Sequence, residues 1–188
     1  MDYNTDGITI HPPIGNILAK FRIKQDEENL SNFFRVAIRR NGQVVSAIIM
    51  CIVFSIFGLT SMYNYFVGHD QGELIYGIII LVLGGFILNA QFAMPNSYAT
   101  SMLRTTPILK FQVDLSIYEG GIFVEYFTGV FRYTWDEINC VILSKYGLTI
   151  LLGQGSGYLI SNENLKEINK NQMTEFLKNR LEGRYIIK

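Results

Sequence analysis

Two long apolar stretches dominate the pattern of the chain. Val44 to Val67 is 24 residues without a formal charge, and Leu74 to Met94 is 21, ending at Pro95. Each carries twelve Leu, Ile, Val or Phe residues. About 20 helical residues span the ~30 Å hydrocarbon core of a bilayer, so both are long enough to cross it. At roughly −0.3 to −0.6 kcal/mol per such side chain, insertion gains about 4 to 7 kcal/mol per span before polar residues are set against it. Ser46, Ser55, Asn64, Asn89 and Gln91 reduce this gain without reversing it. The pattern predicts a transmembrane helical hairpin over residues 44–95, with spans at about 44–67 and 74–94 and a connecting loop at 68–73.

Outside these stretches the periods are short. Leu18 to Lys24 alternates apolar Ala19, Phe21 and Ile23 with Lys20, Arg22 and Lys24, the period of a half-buried strand. A shorter strand is expected around Gly7 to Ile10, ended by His11-Pro12-Pro13. Asp26 then caps a helix with Glu27 and Glu28 in its first turn and Leu30, Phe33, Phe34, Ala37 and Ile38 on one face. Arg39-Arg40-Asn41-Gly42 supplies its stop. Such a face either lies flat at the lipid surface or packs on a protein core, and packing is the favoured expectation because its polar side mixes acids with arginine. Residues 1–43 therefore read as a strand-helix unit.

After Pro95, residues 96–107 form a polar linker rich in Ser and Thr. Residues 108–188 read as closely spaced strands: Phe111 to Tyr118, Ile122 to Phe127, Val130 to Trp135, Asn139 to Tyr146, Leu148 to Leu152 and Tyr158 to Ser161. Glycine turns separate them, which predicts an antiparallel meander curling into a barrel or half-barrel. A last helix is expected from about Asn171 to Glu182, with Met173, Phe176, Leu177 and Leu181 on one face. The strand at Leu18 to Lys24 is expected to complete this sheet, making the hairpin an insertion in one β-rich domain. The fold class is thus α+β, a two-helix membrane hairpin inserted in a β domain.

Charge fixes the expected topology. Sixteen Lys and Arg balance sixteen Asp and Glu, and no basic residue lies between Arg40 and Arg104. Arg35, Arg39 and Arg40 precede the first span and Arg104 follows the second, while the loop has none. The positive-inside rule then places both termini in the cytoplasm. The opening Met-Asp-Tyr-Asn has no apolar core of a secretory signal, so the first span is expected to act as its own insertion signal. Cys51 lies in a span and Cys140 in the cytoplasmic part, so no disulfide is expected.

Small residues mark one face of each span: Ala47, Cys51, Ser55 and Gly58 on the first, Gly77, Gly84 and Gly85 on the second. Small side chains let helix backbones approach in lipid. The expectation is that the two stripes face each other, with a homodimer interface as the alternative.

Glu119-Gly120-Gly121-Ile122 and Trp135-Asp136-Glu137-Ile138, set in a meander behind a strand-helix unit and two spans, resemble the YcxB-like family. Its members are small bacterial membrane proteins. The resemblance implies a C-terminal domain related to pleckstrin-homology-like (PH-like) folds, residence in the bacterial cytoplasmic membrane, and no catalytic residues to carry over.

Chemistry is sparse. Gly153-Gln154-Gly155-Ser156-Gly157 lacks the Lys-Ser/Thr ending of a phosphate loop and precedes a strand, so a hairpin turn is expected. His11 and His69 fall on opposite sides of the expected membrane and cannot share a metal or a catalytic triad. Asp136 and Glu137 are expected to cap a turn, with Trp135 in the core. Zero net charge and the lack of a basic surround for the aromatics argue against nucleic acid. No cofactor, metal or catalytic function is expected.

The leading expectation is a non-enzymatic membrane protein whose partners are the bilayer and a protein or peptide docked on a strand edge or beside the last helix. Two alternatives compete with it. One is a membrane immunity protein that neutralises a toxin. The other is a lipid or envelope-stress sensor using Arg35, Arg39, Arg40 and Arg104 against anionic head groups.

Overall fold

The structure is a computed structural model, and the description covers residues 3–5, 8–40, 42–106, 112–153, 156–166 and 170–187. The chain divides into two compact units. One combines Met1–Ala37 with Tyr98–Lys188, and the other is Ile38–Ser97.

The first unit begins with β1 (Tyr3–Thr5) and β2 (Ile8–Ile10), an antiparallel pair. The expected strand start at Gly7 lies outside the described residues. Next comes β3 (Ile17–Lys24), whose alternation buries Ala19, Phe21 and Ile23. It pairs antiparallel with β4 (Gln112–Tyr118), far along the chain, in the register Phe21↔Leu115 and Ile23↔Val113. The sheet continues through β5 (Gly121–Tyr126) to β6 (Gly129–Thr134), in the order β3-β4-β5-β6. Phe111, the expected start of β4, also lies outside the described residues.

A second four-stranded sheet follows. It contains β7 (Cys140–Ser144), β8 (Gly147–Leu151) and β9 (Gly157–Ser161), then α4 (Asn162–Leu165), α5 (Lys170–Leu181) and β10 (Tyr185–Ile187). Its order is β10-β7-β8-β9, and β10 runs parallel to β7. Besides the β1–β2 pair, the described strands form two four-stranded sheets, and the parallel β10 makes one of them mixed where the sequence predicts an antiparallel meander curling into a barrel or half-barrel. Apart from β10, strands within each four-stranded sheet pair in chain order.

One core joins the two sheets. Phe21, Ile23, Val113, Leu115, Ile122 and Val124 meet Val141, Leu148, Ile150, Tyr158 and Ile160, and Met173, Leu177 and Leu181 of α5 join them. The other face of the second sheet is covered as well. Phe33, Val36 and Ala37 of α1 (Glu27–Arg40) pack with Cys140, Ile142, Leu151 and Leu159. Burial on both faces explains why β8 lacks polar alternation and why even Thr149 is enclosed. Asp26 Oδ1 accepts the Asn29 N–H at 2.9 Å, capping α1. The last turns of α3 (Gln71–Thr105) belong to this unit too: Tyr98 stands 5.7 Å from Phe34, and the Thr100 hydroxyl donates to Glu27 at 2.6 Å.

The second unit holds α2 (Gln43–Gly68) and most of α3. Both helices are long and apolar enough to cross a membrane, with mean hydropathies of 2.4 and 2.1 over their most apolar windows. Only His69 and Asp70 separate them, so the six-residue loop shrinks to two. His69 takes a left-handed conformation at φ 56°, and Asp70 Oδ1 accepts the Gly72 N–H at 2.8 Å.

Pro95 does not end α3. The helix carries it internally and continues to Thr105, so residues 96–105 are helical and not a linker. Proline costs a helix one backbone bond and some crowding near the preceding turn. A helix with six turns ahead of it and packed residues after it, Ala99 among them, keeps its course.

Candidate functional site

The two motifs that carry the family resemblance form one corner of the first unit. Glu119 and Gly120 make the β4–β5 turn, and Gly121 opens β5 at φ 155°. A side chain on Gly121 would run into the Tyr133 carbonyl, so only glycine fits this approach. Trp135 closes the corner from the far end of β6, its Nε1–H donating to the Glu119 carbonyl at 2.8 Å. The indole is buried and meets Phe176 of α5 edge-on at 5.7 Å.

The acidic pair after Trp135 serves the backbone. Glu137 Oε2 accepts from the Thr134 N–H at 2.6 Å and from its hydroxyl at 2.9 Å. The backbone bond first, and then the hydroxyl, hold the Glu137 carboxyl below the usual range. Asp136 is exposed and Ile138 is buried. Arg184, between α5 and β10, donates to the Trp135 and Ile138 carbonyls at 3.1 and 2.8 Å. The corner thus ties the passage between the sheets to the C-terminal helix and is structural.

The four flanking arginines differ in exposure. Arg39 is exposed near the end of α1, Arg40 is half-buried beside it, and Arg104 is exposed in the last turn of α3. Arg35 is half-buried and hydrogen-bonds the Tyr146 hydroxyl. Burial opposes ionisation of that tyrosine, but Arg35 and Lys145 outweigh it and lower its pKa.

In the helical unit the small residues meet in part. Gly58 and Gly77 are buried against each other: an added carbon on Gly58 would lie 3.0 Å from the Gly77 carbonyl oxygen, and one on Gly77 would lie 2.9 Å from that of Gly58. Gly84 faces Phe54 and the Cys51 carbonyl. Ala47 is buried, and the Ser55 hydroxyl turns back to the Cys51 carbonyl at 2.8 Å. Gly85 is the exception. It is exposed with open space around it, so it lies off the seam. At the loop, Ser61 donates to Glu73 at 2.7 Å, so this carboxylate is engaged within the hairpin.

Sequence reasoning missed a polar cleft of about 460 Å³ along the free side of β3, where Arg22, Lys24, Asn29, Lys145, Glu163 and Asn164 line it. Two amides cap the strand there. Asn164 Nδ2 donates to the Arg22 carbonyl at 3.1 Å, and Asn29 Nδ2 donates to the Lys24 carbonyl at 2.8 Å. Arg22 is itself paired with Asp114 at 3.0 Å. This strand edge is closed to a further strand.

The opposite edge of the same sheet is β6. It is six residues long, and no strand is in hydrogen-bonded register with its outer side among the described residues. Phe131 is 51% exposed there and Arg132 is exposed. Inward of it, Tyr126 donates to Tyr158 at 2.9 Å, and burial raises the pKa of both hydroxyls. Tyr158 is buried and Tyr126 half-buried, and both pack with the core that joins the sheets.

Gly153, Ser156 and Gly157 belong to the β8–β9 hairpin, closed by the Leu152 N–H on the Ser156 carbonyl at 3.0 Å, while Gln154 and Gly155 lie outside the described residues. Among the described residues, no three His, Cys, Asp or Glu side chains are grouped to hold a metal ion. No protein-family model matches the chain, and no curated protein matches it.

Proposed function

We propose that the chain is a bacterial integral membrane protein of the YcxB-like type, without enzymatic activity, whose PH-like β unit docks an extended segment of a partner protein on the edge of β6. The β6 edge, which bears the exposed Phe131 and has no strand in hydrogen-bonded register with its outer side among the described residues, is the observation that carries the docking. A strand edge offers a row of backbone donors and acceptors that another extended chain satisfies, with alternate side chains supplying selectivity. The other edge of the sheet is already capped by Asn29 and Asn164.

Membrane residence is supported by the surfaces of α2 and α3. Only 11% of each apolar window is buried, and Ile49, Phe57, Val82 and Phe86 are exposed. Such a continuous apolar surface is far larger than soluble proteins tolerate. Two sheets around a shared core closed by a C-terminal helix support the PH-like assignment. Basic residues at the ends remote from His69 support cytoplasmic termini.

The test is a photo-crosslinking residue in place of Arg132, activated in host membranes and followed by mild-detergent purification and quantitative mass spectrometry. One protein crosslinked in stoichiometric yield, and lost with Phe131→Asp, is the expected result. Selective recovery of an anionic lipid with no protein product would replace docking by lipid sensing.

A further inference from the structure

The outer side of β6 is not bare. The β1–β2 pair, in register Tyr3↔Ile10, Asn4↔Thr9 and Thr5↔Ile8, lies beside β6. Among the described residues it is a separate two-stranded sheet, in no hydrogen-bonded register with β6. A two-stranded ribbon with three residues per strand does not hold its shape alone in water, so it depends on the surface beneath it. Its contact with β6 lacks the ladder that would make it permanent.

The root of this ribbon is fixed. The Glu119 N–H donates to the Asn16 carbonyl at 3.3 Å, Asn16 Nδ2 reaches the Glu119 carboxylate at 3.4 Å, and the backbone of Ile14 lies against Gly120. Pro13 is buried, and with Pro12 it stiffens the short connection to β2. A short, stiff tether keeps a weakly held arm at an effective concentration on the order of millimolar over its contact site.

Resting on the docking assignment above, we propose that the paired strands β1 and β2 are an intramolecular cover on β6, displaced when an extended polypeptide pairs with that strand. The occupant is a polypeptide because the groups on offer are a row of alternating backbone donors and acceptors, which a lipid head group does not match. The cover also shields an edge that would otherwise pair with a second copy of the chain.

The test supplies the cover in trans. A fluorescent peptide of residues 1–13 is titrated into the detergent-purified full chain, into a variant lacking residues 1–10, and into full-length Thr9→Pro, whose fixed φ disfavours the extended ribbon strand. Anisotropy is expected to show binding to both variants and at least about tenfold weaker binding to the unaltered chain, where the tethered copy competes. Equal binding to all three, or no binding to Thr9→Pro, overturns the cover. The Arg132 crosslink separates this from the parent assignment. A partner product that rises on deletion supports displacement, and one that stays constant removes the cover and leaves docking intact. No protein product in either form removes docking itself.

Discussion

The indole N–H of Trp135 donates to the carbonyl of Glu119 at 2.8 Å, joining two short motifs sixteen positions apart. Trp135→Phe keeps a ring against Phe176, removes the donor and leaves part of the buried indole's volume unfilled, which adds a packing loss to that of the hydrogen bond. The Glu119 carbonyl is partly buried, so losing its partner is expected to cost about 1 kcal/mol. Thermal unfolding in detergent should shift down by a few degrees. An unchanged midpoint would show that water replaces the indole at no cost.

Glu137 gives the same corner an acid dependence. Its folded pKa lies below the ordinary carboxylate value, so its contribution is present above the unfolded pKa and is lost as pH falls through the depressed folded value. The side chain is exposed, so the effect is small. Wild type should exceed Glu137→Ala in stability at neutral pH, and the gap should narrow below pH ~4. Denaturant midpoints measured across that range test the sign; a gap that widens in acid contradicts it.

Much of the fold was legible because burial leaves a period. Alternation at Ala19, Phe21 and Ile23 marks β3, and the face Leu30, Phe33 and Ala37 marks α1. What escaped has no period to read. β10 is three residues long, and its place beside β7 is set by backbone and side-chain contacts of Arg184. Pro95 signals a stop locally, yet packing carries α3 past it. The cleft along β3 brings Arg22 and Asn29 together with Lys145 and Asn164, more than a hundred residues further on, so spacing gives no hint of it. The Glu119–Trp135 corner was visible as motifs, but its hydrogen bond needed coordinates.

The seam between α2 and α3 separates two glycines that look alike in sequence. Gly77 meets Met62 and the Gly58 carbonyl, whereas Gly85 faces open space. Gly77→Ile would force the helices apart and should lower the unfolding temperature of the hairpin by several degrees, in keeping with overpacking costs of about 1–3 kcal/mol. Gly85→Ile should leave it nearly unchanged. Circular dichroism melts at 222 nm compare them, and equal loss in both would mean that the seam is elsewhere.

Topology is the prediction on which the membrane proposal stands. In a Cys51→Ala, Cys140→Ala background, a cysteine replacing His69 at the exposed α2–α3 link should react with a membrane-impermeant maleimide in intact cells. One replacing exposed Glu182, after α5, should react only once the membrane is opened. Reversed labelling would invert the hairpin, and labelling of both positions in intact cells would remove it from the bilayer. On the proposed topology the orienting charges are Arg39, Arg40 and Arg104, since α2 has no basic residue in its last turn and the first turn of α3 holds only the acid Glu73. Replacing all three with Gln removes that bias and should produce a mixed population. Glu182 would then label in a fraction of intact cells while the helices stay inserted, because their apolar content is untouched.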